Sequence, residues 1–308
     1  MHPAPSIIIF TTLSGAGFGL LGLLFLGIGP FACPAFLWVS AILGFGMAIG
    51  GLLASTFHLG HPERAWRALT QWRSSWLSRE GVLAVLTLAA GGIYAIFLLF
   101  GGVAVSQLGT IAALLSIATV YSTAMIYAQM KTVPHWNSAL TPAMFLASAL
   151  STGLLALTFV ASFAGPVPAA MVVISIVLVI LAWGLNLAMW RRNAETGLSG
   201  VGSSPETATG LGALGRVRLL EAPHSSPNYL MREMVYKVGR KHAQKLRRLA
   251  LLVGGALPLV LLLLAGTGFA EPFWLLLAFA THLAGILIGR WLFFAEAEHA
   301  VSLYYGHR

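Results

Sequence analysis

The chain has 308 residues, 58% hydrophobic and only 9% charged, with a formal net charge of +9. Soluble domains carry about 25% charged residues, so this composition, with a mean hydropathy of +0.85, excludes a water-soluble fold and points to an all-α integral membrane protein. Its single cysteine, Cys33, excludes a disulfide framework, a thiolate zinc site and an iron–sulfur cluster ligated by this chain alone.

A membrane span needs roughly 20 apolar residues. Eight stretches meet that length, near residues 7–29, 35–57, 81–102, 108–129, 142–163, 169–190, 249–266 and 273–294. Met1 to Ser6 hold no Lys or Arg, so the first stretch lacks the charged lead-in of a secretory signal and is expected to remain as a span. The connections after the first, third, fifth and seventh stretches contain no Lys or Arg, and their only acid is Glu271. All eighteen basic residues lie in the other connections or at the end of the last span. Positive charge is retained in the cytoplasm, so the expected fold is a bundle of eight transmembrane helices with both termini cytoplasmic. The charge thus has an orienting sense, and no nucleic-acid partner is expected.

Between the second and third spans runs HLGHPERAWRALTQWRSSWLSRE, residues 58–80, with four arginines, two histidines, two glutamates and three tryptophans. Its middle, residues 62–76, reads as an interfacial helix anchored at headgroup level by Trp66, Leu69 and Trp72. The arginines there suit lipid phosphates as well as a bound cofactor.

His58 closes the second span and Glu80 opens the third. Ionisable groups at the hydrocarbon boundary are costly unless paired or used. Glu80 also suits a helix start or an ion pair with Arg79 or Arg290, and His58 suits an interfacial hydrogen bond. Arg290 lies four residues inside the end of the eighth span, as a snorkelling arginine or as a site residue.

The long connection, residues 191–248, is expected as a cytoplasmic basic loop inserted in a single membrane-anchor domain. Residues 193–226 are rich in Gly, Ser, Thr and Pro and read as irregular. Residues 228–248 carry Met231, Met234, Val235, Val238 and Leu246 at helical spacing among basic residues. That is an amphipathic helix, suited to anionic lipid or to a soluble partner.

Together, a His, a Glu and an Arg at one membrane face supply what a quinone requires, namely hydrogen-bond donors and a proton relay. His titrates near neutrality and a buried Glu can be tuned upwards. Haem is the competing redox reading. A bis-histidine haem needs paired histidines at membrane depth, and only His282 sits well inside a span, so no haem is expected. Pro258 and the glycines at 44, 46, 50 and 51 are weak hints of a transporter; small residues at such spacing more often pack helices.

HLGHPERAWRAL, WLSREG, KTVPHWNSALTPAMF and HLAGILIGRWLFFAE occur in that order from the second span to the last. As a set they resemble the membrane anchor subunits of dimethyl sulfoxide reductase and its relatives. The resemblance implies a haem-free, eight-helix anchor that holds a four-cluster iron–sulfur subunit and a molybdopterin catalytic subunit and exchanges electrons with quinone. It carries the family's functional histidine and glutamate onto His58 and Glu80. Arg64, Arg67, Arg79 and Trp76 of the same run complete the expected cofactor surroundings, with Arg290 as a third catalytic candidate.

The inward-facing charge and the basic insertion resemble the anchors of cytoplasmic sulfite dehydrogenase complexes. That implies sulfite oxidation to sulfate with quinone reduction, the sulfur chemistry lying in a partner subunit. The alternatives are a quinol-oxidising anchor of a sulfoxide or polysulfide reductase, and a purely structural anchor or transporter.

Overall fold

The computed structural model describes residues 3–196, 202, 204–218, 220–221, 238–269 and 271–305. Among these, eight helices are long and apolar enough to cross a membrane, and their order follows the expected spans closely. We number the helices α1 (Pro5–Phe25), α2 (Pro34–Ala54), α3 (Trp76–Gly101), α4 (Ser106–Ala128), α5 (Leu140–Ala161) and α6 (Ala169–Glu195). A short α7 (Pro205–Thr209) lies beyond α6, and α8 (Val238–Leu251), α9 (Leu257–Ala265) and α10 (Glu271–Ala295) complete the set.

Local chemistry places the ends. Proline occupies the first turn of α1 and α2, where its missing N–H costs nothing. The Ser75 hydroxyl accepts from Ser78 N–H to cap α3, and Gly102, at φ 64°, closes it in the left-handed conformation that glycine adopts without strain.

α1 and α5 form the centre of the bundle. α1 packs on α2, α5 and α4, and α5 packs on α1, α6, α4 and α10. Lipid offers no hydrophobic drive between helices, so close backbone approach over small residues does that work. Gly19 lies against the Ala149 carbonyl and Gly153 against the backbone of Gly19 and Leu20. In α2, Gly44 and Gly51 lie against α1, whereas Gly46 and Gly50 face open space. Half of that glycine set is therefore packing surface.

The seventh span is not one regular helix. α8 runs through a π-helical turn, Leu252–Ala256, directly into α9, which starts next to Pro258. Gly254 there lies against Gly285 of α10, and its carbonyl accepts from Trp183 Nε1 at 2.6 Å. The fully buried His282 also bonds to that carbonyl, at 2.7 Å through Nδ1, and lies 2.9 Å from Ser151 Oγ through Nε2. Both ring nitrogens are thus used in holding α5 and α10 to the π turn.

Of the expected amphipathic helix, residues 228–237 lie outside the described residues; residues 238–248 are helical, within α8, which continues into the seventh span. The segment expected as an interfacial helix is a 3-10 helix over Pro62–Gln71, with every residue but Ala65 exposed. Trp66 and Trp72 are 61% and 54% exposed, as headgroup-level anchors would be.

Candidate functional site

The spans alternate in direction, so the ends of α2, α4, α6 and α10 and the starts of α3, α5 and α8 share one face. At this face a cavity of about 560 Å³ lies between α1, α2, α3, α4 and the 62–71 segment. That volume falls within the roughly 300–1,000 Å³ of small-molecule sites. Its walls are largely apolar, with Ile7, Phe10, Leu52, Leu69 and Ile126, and a few polar groups converge on it from Ser55, Thr56, His61, Arg64, Glu80 and Tyr127. Its rim has two characters. His61 and Arg64 are exposed and charged or polar, whereas Leu59 and Leu77 present exposed apolar surface between α2 and α3.

The 62–71 segment is fastened over this cavity by α3. Ser78 donates its hydroxyl to the Ala68 carbonyl and accepts from Gln71 N–H at 3.0 Å. Gly81 leaves room for Leu69, because a Cβ there would meet Leu69 Cδ2 at 2.8 Å. Arg79 completes the fastening, donating to the carbonyls of Trp72 at 3.0 Å and Arg73 at 2.7 Å while its guanidinium lies 4.4 Å from the Trp76 ring centroid.

Glu80 is deeper than its position at the edge of the apolar run suggests. α3 begins at Trp76, one turn earlier than the hydrophobicity does, so Glu80 is inside the helix and only 4% exposed. Its Oε1 accepts the hydroxyl hydrogen of Thr123 on α4, and among the described residues it has no ion pair. The same hydroxyl lies 3.1 Å from the Thr119 carbonyl, and Thr119 and Thr87 share a hydroxyl contact at 2.9 Å two turns below Glu80.

Tyr127, one turn along α4 from Thr123, lines the cavity beside Glu80. Its ring packs edge-on against Trp136, Phe293 and Phe294 at 5.3–5.6 Å. Arg290, on α10, is 4% exposed, its guanidinium 3.4 Å from the Phe145 ring centroid. Among the described residues its Nε and Nη1 have no hydrogen-bond partner.

The expected residues therefore separate into groups. Glu80 and Arg64 line the cavity. His58 ends the 3-10 turn Ser55–His58, between the cavity residues Thr56 and Leu59; its side chain lies outside the description. Arg67, Arg79 and Trp76, expected around the cofactor, do not line the cavity. Arg67 lies over Trp66 at 5.6 Å, Arg79 holds backbone carbonyls, and Trp76 packs edge-on against Tyr121 at 5.9 Å. Among the described residues Glu80 is paired with neither Arg290 nor Arg79; Arg290 borders a small cavity with Thr123, the hydroxyl partner of Glu80. It is buried too deeply to snorkel.

Thr123 and Tyr127 were not singled out in the sequence. The signal was Thr119, Thr123 and Tyr127 four residues apart, a hydroxyl stripe on one face of α4.

The geometry suits a flat, largely apolar molecule with polar edges. The walls accept an apolar ring, and Glu80, Tyr127, Arg64 and His61 offer both donors and acceptors. Among the described residues no group of three or more His, Cys, Asp or Glu side chains stands close enough to hold a metal ion.

Comparison with known proteins places the chain. Residues 1–306 match the family described as DMSO reductase anchor subunit (DmsC). The chain is 32% identical to a sulfite dehydrogenase subunit of Allochromatium vinosum over 329 aligned positions, covering 99% of both proteins. It is 30% identical to anaerobic dimethyl sulfoxide reductase chain YnfH of Escherichia coli, over 48% of this chain and 54% of that protein. It is 32% identical to an anaerobic dimethyl sulfoxide reductase chain of Haemophilus influenzae, over 38% of this chain and 40% of that one. With nearly its whole length matched and its eight apolar helices in place, the chain belongs to the DMSO reductase anchor subunit family.

Proposed function

We propose that the 560 Å³ cavity receives a quinone ring and that this chain is the quinone-reactive anchor of a molybdenum and iron–sulfur oxidoreductase complex in the cytoplasmic membrane. Sulfite oxidation to sulfate with quinone reduction is the favoured direction. The observation that carries the reading is Glu80, a carboxyl buried in the wall of an apolar cavity whose rim meets both the exposed His61 and Arg64 and the apolar Leu59 and Leu77. A quinone supplies two-electron, two-proton redox chemistry.

The residues of this chain bind and protonate. Phe10, Leu52 and Leu69 exclude water from the ring, and Leu59 and Leu77 give an apolar tail its way out between α2 and α3. Glu80, oriented by Thr123, exchanges a proton with one ring oxygen. His58, at the end of the 3-10 turn that follows α2, and Tyr127 are the donors proposed for the other. Arg64 draws the polar edge towards the rim, while Arg67, Arg79 and Trp76 hold the covering segment in place.

The soluble partners, a four-cluster ferredoxin-like iron–sulfur subunit and a molybdopterin subunit, sit on the charged face, which the charge distribution assigns to the cytoplasm. The end-to-end likeness to a sulfite dehydrogenase subunit supports sulfite, against the half-length likeness to dimethyl sulfoxide reductase chains that would favour quinol oxidation. Glu80→Gln in the assembled complex tests the reading. Turnover with quinone is expected to be abolished while assembly and turnover with an artificial acceptor persist. Normal turnover with quinone refutes it.

A further inference from the structure

A second polar feature lies behind the large cavity and reaches the same face by another way. One small cavity, about 10 Å³, is bounded by Thr123, Arg290, Ser14 and Thr11. A second, about 10 Å³, is bounded by Arg290, Ser148, Asn186 and Gly289. A third, about 10 Å³, joins Asn186 and Gly289 to His135 and Glu296 at the charged face. Each has about the room that one water molecule needs, and each shares a wall residue with the next. At the inner end the Thr123 hydroxyl is bonded to Glu80.

Polar side chains border this series. Among the described residues, Nε and Nη1 of the buried Arg290 and Oε1 of Glu296 have no hydrogen-bond partner. Asn186 donates Nδ2 to the Ala182 carbonyl at 2.8 Å, and its Oδ1 lies 3.8 Å from where a Cβ on Gly289 would stand. Buried polar atoms are satisfied by protein or by ordered water.

We propose that the series is a proton path, in which Thr123, Arg290 and Asn186 order a file of water that reloads Glu80 from the face bearing His135 and Glu296. This rests on the reading of Glu80 as the carboxyl that exchanges protons with quinone. A ring in the large cavity closes the short way from His61 to Glu80, so the carboxyl must be reached from behind.

The fixed charge of Arg290 repels a free excess proton, so transfer runs as a deficit. Glu80 gives its proton to the quinone oxygen. The carboxylate takes one through the Thr123 hydroxyl from the adjacent water, and the deficit passes outward, favoured by the guanidinium, until bulk water fills it. Each O–H broken is matched by one formed, and the two electrons come from the iron–sulfur partner. His135 stands at the outer end, with Nδ1 3.1 Å from the Glu296 carbonyl and Nε2 3.0 Å from the Thr196 carbonyl. Its imidazolium form donates to both, the neutral ring to only one. Charged groups at this mouth include Arg247, bonded to Glu296 Oε2 at 2.8 Å, and Arg192, bonded to the carbonyls of Pro134 and Asn137.

The test follows deuterium exchange of the Glu80 carboxyl in the whole complex, with a short-tailed naphthoquinone or benzoquinone filling the cavity. The carboxyl stretch in the infrared is assigned by its loss in Glu80→Gln. Asn186→Leu and, separately, Gly289→Leu are expected to slow exchange at least about tenfold with quinone affinity unchanged. Asn186→Gln is expected to restore it. Exchange at the unaltered rate in both leucine variants, loss of quinone binding along with exchange, or the absence of any carboxyl band removed by Glu80→Gln each overturns the path. Failure of quinone to bind in the unaltered complex instead removes the reading of the large cavity.

Discussion

Glu80 and Arg290 are both buried at the charged end of the bundle, yet they are not bonded to each other. Glu80 accepts from Thr123, and the guanidinium lies over the Phe145 ring, which also packs against Tyr127. A close ion pair would fix Glu80 as a carboxylate. A hydroxyl partner serves the acid and the anion alike, which suits a group that changes its protonation state.

Thr123→Val keeps the shape of the side chain and removes the donor to Glu80. Leaving a buried acceptor without its partner costs about 1–3 kcal/mol. If that loss falls on the step in which Glu80 accepts or gives a proton, quinone-linked turnover drops roughly tenfold or more. Thr123→Ser is expected to recover most of it. Steady-state rates with quinone and with an artificial acceptor, compared across both variants, separate this effect from misfolding.

Arg290→Met probes the other buried charge. A guanidinium without an ion pair is a desolvation cost that an apolar side chain of similar length does not carry, and exchanging buried ionic groups for apolar ones is often neutral or stabilising by about 1–4 kcal/mol. Thermal denaturation of the detergent-solubilised complex is therefore expected to show no loss of stability. Quinone-linked turnover is expected to fall. A variant that is both less stable and fully active would assign Arg290 to packing alone.

How much of this was legible beforehand follows from what each signal measures. Hydrophobicity over twenty residues reports burial in lipid, and the eight spans and the charged face were readable from it. It does not report where a helix starts. Trp76, Leu77, Ser78 and Arg79 look like the tail of an interfacial segment, but they form the first turn of α3, and that one turn takes Glu80 from the boundary into the interior. Arg79 was read as a site residue with the rest of its charged run; its long side chain instead turns back to the carbonyls of Trp72 and Arg73. The π turn at Gly254 was invisible, since two glycines in an apolar run read equally well as ordinary helix packing. Asn186 was passed over as one polar residue in a span, and its place between two small cavities depends on which helix faces it.

Gly19 and Gly50 predict opposite responses to the same substitution. A methyl group on Gly19 has no room, because it would meet the Ala149 carbonyl across the α1–α5 contact. Gly19→Ala forces the central pair apart, at a cost of about 1–3 kcal/mol. A methyl group on Gly50 meets nothing within 4 Å, so Gly50→Ala is expected to be neutral or to gain up to about 1 kcal/mol from helix propensity. Melting temperatures of the two variants in one detergent compare them directly.

His299 predicts a local response to pH at the charged face. Its Nδ1 accepts from Val301 N–H at 3.1 Å, at the start of the 3-10 turn Ala300–Tyr305, and Ala300 N–H donates to the Thr132 carbonyl at 2.9 Å. Partial burial holds the ring below the ordinary histidine value, disfavouring the charged form. A lowered value means the folded turn binds fewer protons than the unfolded one, so its stabilisation is present above the unfolded value of about 6.5 and is lost as pH falls through the lower folded one. Protonation then occupies Nδ1 and removes the acceptor of Val301. Amide exchange at Val301 and Ala300, corrected for the intrinsic pH dependence of exchange, is expected to quicken between about pH 7 and about pH 5. His299→Asn, which retains an acceptor and cannot titrate, is expected to abolish that excess. Equal corrected exchange at both pH values in the unaltered protein would mean that the turn is held by the Thr132 contact and not by the histidine.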